Sequence, residues 1–129
     1  MAKARIASQI AATVPARVGL LADVCEALHG SGVNITSLSA YERDGIGKFL
    51  MVTSNNAEAA KALSRLNADY VEKPVLEIEM SNEPGALEDA ARTMAEAGIN
   101  VEYCYGTVSG LTAVVVFRTS DDRKALSLF

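Results

Sequence analysis

The sequence predicts an α+β fold made of two tandem βαββαβ modules, each an antiparallel sheet covered by helices on one face. Three observations carry this prediction. The chain aligns with itself without a gap at a shift of 66 positions, with eight identities over the 54 residues from Ile10 and from Leu76. Each half reads strand, helix, strand, strand, helix. The identities also fall at structural punctuation, pairing Gly19, Leu21 and Asp23 with Gly85, Leu87 and Asp89, and Gly32 and Asn34 with Gly98 and Asn100.

Taken in order, Ile10 to Val14 and Val75 to Met80 read as opening strands, the second alternating Leu76, Ile78 and Met80 with Glu77 and Glu79. A helix follows in each copy. In the second, Leu87, Ala90, Ala91 and Met94 recur at helical spacing, with Glu88 and Arg92 as an exposed i,i+4 pair; the first offers Leu20, Leu21, Val24 and Leu28. Gly32 and Gly98 stand where a helix ends on a left-handed residue. Next come β-rich stretches at Val33 to Tyr41 and Ile99 to Val108, turns at Asp44-Gly45 and Ser109-Gly110, and return strands at Lys48 to Thr53 and Thr112 to Thr119. Ala113 to Phe117 is apolar without alternation, as in an interior strand. Short helices are expected from Ala57 to Leu66 and from Asp122 onward, opening after the capping pairs Asn55-Asn56 and Ser120-Asp121.

Asp69 to Glu72 can close the first sheet, whereas the second has no residues left after its last helix. The expected modules are therefore residues 1–73 and 74–129, both ferredoxin-like, the second truncated after its second helix. An uncovered strand edge near Val75 would invite pairing with another chain, so a homodimer is expected.

Composition narrows the function. Half of the residues are hydrophobic and 22% are charged, as in an ordinary globular core. A net charge of −4 with scattered Lys and Arg argues against nucleic-acid binding. No run approaches the length of a membrane span, and Ser8, Gln9 and Thr13 interrupt the one stretch with a faint leader-like character. Cys25 and Cys104 lack metal-ligand or redox spacing, so no metal or cofactor is expected, the cysteines read as small core residues, and a reducing cytoplasmic setting is the simplest. The nucleophile, zinc, P-loop and dinucleotide motifs are absent, leaving no catalytic residues and pointing away from an enzyme.

Binding is better supported. The turn Asn82-Glu83-Pro84-Gly85-Ala86-Leu87 opens a helix, where unpaired backbone N–H groups and the helix dipole suit a carboxylate. Carboxamides such as Asn82 and Asn100 can accept from an ammonium and donate to a carboxylate. Together, Asn82 to Leu87 followed by Gly98-Ile99-Asn100-Val101 resemble the pattern of ACT domains, the amino-acid-binding regulatory modules of biosynthetic enzymes. The first copy keeps Gly32-Val33-Asn34-Ile35, but its loop, Ala16-Arg17-Val18-Gly19-Leu20-Leu21, lacks the Asn and the Pro.

The resemblance implies a ligand site formed by Asn82, Glu83, Pro84, Gly85, Ala86, Leu87 and Asn100, with Asn34 and Ile35 contributed by a facing module. It implies a free amino acid as ligand, binding between paired modules, and an allosteric readout through a partner enzyme or the assembly state. The alternative is a module that binds no ligand and serves dimerisation or a partner enzyme. Structural readings stand beside these roles: Asn34 and Asn100 could bond local backbone, and Asn82 could cap its helix. His29 suits a helix end, and Tyr103 and Tyr105 share one side of a strand, as a pocket floor or an interface.

Overall fold

The computed structural model describes residues 2–129. Its elements are β1 (Lys3–Pro15), α1 (Leu20–Gly30), β2 (Ile35–Arg43), β3 (Ile46–Thr53), α2 (Asn56–Ser64), β4 (Asp69–Ser81), α3 (Ala86–Glu96), β5 (Val101–Ser109), β6 (Thr112–Thr119) and α4 (Asp122–Leu126). The strands form an antiparallel sheet hydrogen-bonded in the order β2-β3-β1-β4-β6-β5.

The chain divides into two compact units, one of Ser8–Lys73 and one combining the chain up to Ala7 with Pro74–Phe129. In the Ser8–Lys73 unit, Ile10 lies opposite Met51 and Ala12 opposite Phe49. This puts all four on the face that receives Leu20, Val24 and Leu28 of α1 and Ala59 and Leu63 of α2. The other unit repeats the scheme. Leu76 lies opposite Phe117 and Ile78 opposite Val115, and that face is closed by Ala90 and Met94 of α3 and Ala125 of α4.

Two expectations need correction, and one cause explains both. The opening strand does not start at Ile10 but runs thirteen residues from Lys3, and Asp69 to Met80 is one strand rather than two. Both β1 and β4 are long enough to serve each unit in turn. The second module is therefore not truncated, because the start of β1 supplies its remaining strand beside β4, where Arg5 pairs with Glu77 at 3.0 Å and Ala2 and Ala4 pack against the core. The residues up to Ala7, assigned by sequence to the first module, group with the second. With β1 and β6 flanking β4, the open edge that suggested a dimer does not exist.

Polar side chains at the starts of the short helices hold these long strands. The Asn56 side-chain amide donates to Ser8 O at 3.0 Å and to Glu72 Oε2 at 2.9 Å, and the Ser8 hydroxyl donates to the same carboxylate at 2.7 Å. At the position 66 residues later, Asp122 accepts from Arg118 at 3.0 Å, and Arg118 also donates to Pro74 O at 2.9 Å. Pro74 contributes no N–H to the ladder, so that carbonyl contact helps to anchor the strand there.

Two predictions follow from this arrangement. Deleting residues 2–7 strips a strand from the Pro74–Phe129 unit and is expected to lower its thermal midpoint by several degrees or more, measured by circular dichroism. The second concerns Glu72, whose carboxyl is held below its ordinary value of 4.5 by the hydrogen bonds from Ser8 and then Asn56. A lowered folded pKa stabilises above the unfolded value, and that contribution disappears as pH falls through the folded value. Glu72→Gln should therefore flatten the decline of the thermal midpoint below pH 4.5 while leaving the acid limb otherwise intact.

Candidate functional site

The four helices begin in two different ways. Helices α2 and α4 are capped by side chains, Asn55 accepting from Glu58 N–H at 3.2 Å and Asp121 from Lys124 N–H at 3.0 Å. Helices α1 and α3 start from Gly19 and Gly85, which have φ of 86° and 90° and offer no side-chain cap. In α3 the Ala86 N–H reaches Glu83 O and the Asp89 N–H reaches Gly85 O, so the N–H groups of Leu87 and Glu88 have no partner among the described residues. They carry the positive end of the helix dipole.

A cavity of about 380 Å³ opens beside that helix start, lined by Asn82, Glu83, Ala86 and Leu87 and by residues of β5 and β6. A smaller one of about 210 Å³ lies at the start of α1. Each of the nine residues lining the smaller cavity has its counterpart, 66 positions on, in the wall of the larger. The repeat therefore built one cavity twice.

The two copies differ in what fills them. Where the second has Ala86, Ala113 and Val115, the first has Leu20, Gly47 and Phe49. Leu20 takes space that only a glycine leaves, since a Cβ on Gly47 would fall 2.7 Å from Leu20 Cδ2. At the rim, Arg17 of the first copy pairs with Asp23, whereas its counterpart Glu83 and Asp89 are both acidic and cannot pair.

Asn82 does not cap α3, which is the office of Gly85. Instead its N–H donates to Leu111 O at 2.9 Å and its side-chain amide to Gly110 O at 3.0 Å, fixing the loop against the β5–β6 turn. Its Oδ1 has no partner among the described residues. Pro84 and Gly85 shape the loop without lining the cavity.

Asn100 lies elsewhere. It stands before β5, where its N–H donates to Ser120 Oγ at 3.0 Å, and Asn34 repeats this with Ser54 at 2.9 Å. Backbone, not side chain, makes those bonds, so both carboxamides are exposed and unpaired among the described residues. Asn82, by contrast, meets the opposite end of β5, roughly 30 Å away along nine strand residues at about 3.3 Å each. Within one unit, Asn82 and Asn100 do not converge. Asn34 and its neighbour Ile35, at the start of β2, belong to the Ser8–Lys73 unit.

Both cysteines are exposed rather than core residues. Cys25 lies one position beyond the buried stripe Leu20, Val24 and Leu28, and Cys104 lies on the edge strand β5, where it lines the larger cavity. Tyr103 and Tyr105 share one side of β5, opposite Arg118 and Val116. Burial, reinforced by Tyr103 and Glu77, pushes the Tyr105 phenol upward, so it stays protonated at neutral pH. His29 sits in the last turn of α1. Among the described residues no acidic, histidine or cysteine cluster could hold a metal ion, and no helix is long and apolar enough to cross a membrane.

Comparison with known proteins decides the family. The ACT domain pair matches residues 5–128. The chain belongs to this family. A crystal structure of protein BT0572 from Bacteroides thetaiotaomicron superposes with a TM-score of 0.89 at 27% identity, covering 97% of this chain and 87% of that one. The ligand-free regulatory subunit of aspartate kinase from Thermus thermophilus gives a TM-score of 0.72 at 17% identity, with 96% and 94% covered. The corresponding subunit from Thermus flavus gives 0.68 at 16%, with 98% and 93% covered. Among curated proteins none matches. The aspartate kinase subunits share the fold of this ACT pair.

Sequence reasoning placed the loop at Asn82 to Leu87 but missed the cavity's opposite wall, Cys104, Gly106, Val108, Ala113 and Val115. The self-alignment held a usable signal, since it sets the small Ala86 and Val115 against the large Leu20 and Phe49. Gly106 is required by close packing, because a Cβ there would fall 2.8 Å from Val114 O and 2.9 Å from Val115 Cγ2. Gly106→Ala is expected to cost about 1–3 kcal/mol in urea unfolding, with β5 displaced from the cavity wall.

Proposed function

We propose that this ACT pair is a regulatory protein that binds a free amino acid in the larger cavity and passes its occupancy on allosterically. The observation that supports the reading is the start of α3, where the unpartnered N–H of Leu87, followed by that of Glu88, stands with the free Oδ1 of Asn82 and the carboxylate of Glu83, and Asn82, Glu83 and Leu87 all line the larger cavity. The N–H groups suit the α-carboxylate, and Asn82 and Glu83 suit the α-ammonium. The smaller cavity, narrowed by Leu20 and Phe49, is not a second site. One ligand binds per chain.

Because Asn82 and Asn100 stand at opposite ends of β5, they can serve one ligand only when they come from two modules. The family resemblance assigns such a role to the Asn of the Gly-x-Asn segment, and a second copy of the chain is the source proposed for it. Ligand binding and self-association are then linked, each favouring the other by the same free energy. The readout is a change of assembly or of contact with a partner enzyme of amino-acid metabolism, in the cytoplasm. No catalytic step is assigned to the chain.

A thermal-shift screen of the twenty amino acids at about 10 mM tests this, since a ligand at 100 times its Kd stabilises the folded state by about 2.7 kcal/mol. At least one is expected to raise the midpoint, Asn82→Ala should weaken the response tenfold or more in ligand concentration, and Arg17→Ala should leave it unchanged. If none of the twenty acts, the ligand-free interaction module is the correct reading.

A further inference from the structure

We infer that the larger cavity selects an amino acid with an apolar side chain, over acidic and basic ones. This rests on the proposed binding of a free amino acid and adds its class. The charge in the cavity is confined to its mouth. Glu83 is exposed and accepts a hydrogen bond from the Ser81 hydroxyl at 3.4 Å, while Met80 and Val115 behind it are 4% and 8% exposed.

A side chain entering the cavity from the start of α3 meets Met80, Leu87, Val108, Ala113 and Val115. No Lys or Arg lines the wall, and the one carboxylate sits where the α-ammonium belongs. An acidic side chain would face Glu83 with no Lys or Arg in the wall to pair it, and a basic one would find no carboxylate beyond the one set for the α-ammonium, only neutral polar groups such as Ser81 and Thr107. Either gives up hydration for which the wall offers no opposite charge in return. An apolar side chain gives up no hydrogen bonds and gains the burial. The volume, about 380 Å³, lies near the lower end of the roughly 300–1,000 Å³ typical of ligand pockets, which suits a free amino acid.

The unfilled space has a specific origin in the repeat. Leu20, Gly47 and Phe49 form one packing solution and Ala86, Ala113 and Val115 the other, with Gly47 giving way to Leu20. The second solution leaves open the volume that Leu20 and Phe49 occupy in the first. In effect the ligand side chain replaces the missing apolar atoms.

Calorimetric titration of the full chain with L-valine, L-leucine, L-isoleucine, L-methionine and L-phenylalanine, and separately with L-aspartate, L-glutamate, L-lysine and L-arginine, tests the assignment. The tightest apolar amino acid is expected to bind at least tenfold more tightly than any charged one. A charged amino acid binding as tightly overturns the inference while leaving amino-acid binding intact. Binding by none of these nine also overturns the inference, and no response to any of the twenty in the thermal-shift screen removes the underlying reading. The triple variant Ala86→Leu, Ala113→Gly, Val115→Phe grafts the first packing solution onto the second site and should abolish binding with the circular dichroism spectrum kept; undiminished binding overturns the location. Val115→Leu, a milder change, should move preference from leucine toward valine, and an unchanged order of affinities contradicts the assignment even if the triple variant fails to fold.

Discussion

Four helix starts leave backbone N–H groups that the helix itself cannot satisfy, and the way each start is treated separates framework from site. At α2 and α4 the side chains of Asn55 and Asp121 satisfy one donor each, and the residues that follow, Asn56 and Asp122, are used to hold the long strands. At α1 and α3 glycine in the left-handed region takes the cap position and brings no oxygen. Both of those helix starts open onto cavities. The first is narrowed by Leu20 and Phe49 and has the Arg17–Asp23 pair at its rim, whereas the second is left wider, with the acidic Glu83 and Asp89 in place of that pair.

The strands explain how so small a unit is stable enough to keep such a gap. A module of about 60 residues buries a limited share of its surface and is marginal alone. Thirteen-residue β1 and β4 give each compact unit four strands from a sequence repeat that supplies the second with only three. The fully buried Ile78, Met94 and Phe117 then form a core that does not depend on filling the cavity. Such a core holds with the cavity empty or occupied, as the proposed binding of an amino acid requires.

Much of this was legible in the sequence because punctuation is local chemistry. The capping residues, the glycines at 32 and 98, and the strand from Thr112 to Thr119 were each fixed by residue types whose preference is intrinsic, and the structure has them there. What escaped depended on distance in space. Ala2 and Ala4 alternate with Lys3 and Arg5 as a strand should, but alanine is a weak apolar marker, so the start of β1 was unseen and the second module looked truncated. Asp69 to Glu72 and Val75 to Met80 read as separate strands, yet β4 runs through Pro74, whose carbonyl the Arg118 side chain holds. The separation of Asn82 from Asn100 was equally invisible, since eighteen residues of sequence do not reveal which end of a strand each one meets. Cys25 and Cys104 looked like core by size alone, while one lies off the helix stripe and the other on an edge.

The central claim is that an amino-acid carboxylate docks on the two open N–H groups of α3 and not on their counterparts in α1. Amide chemical shifts measured by ¹H–¹⁵N NMR during titration with an amino acid that raises the thermal midpoint read this directly. The account predicts the largest downfield proton shifts at Leu87 and Glu88, with Leu21 and Ala22 unmoved. Equal shifts at both helix starts, or shifts confined to Leu21 and Ala22, would contradict it.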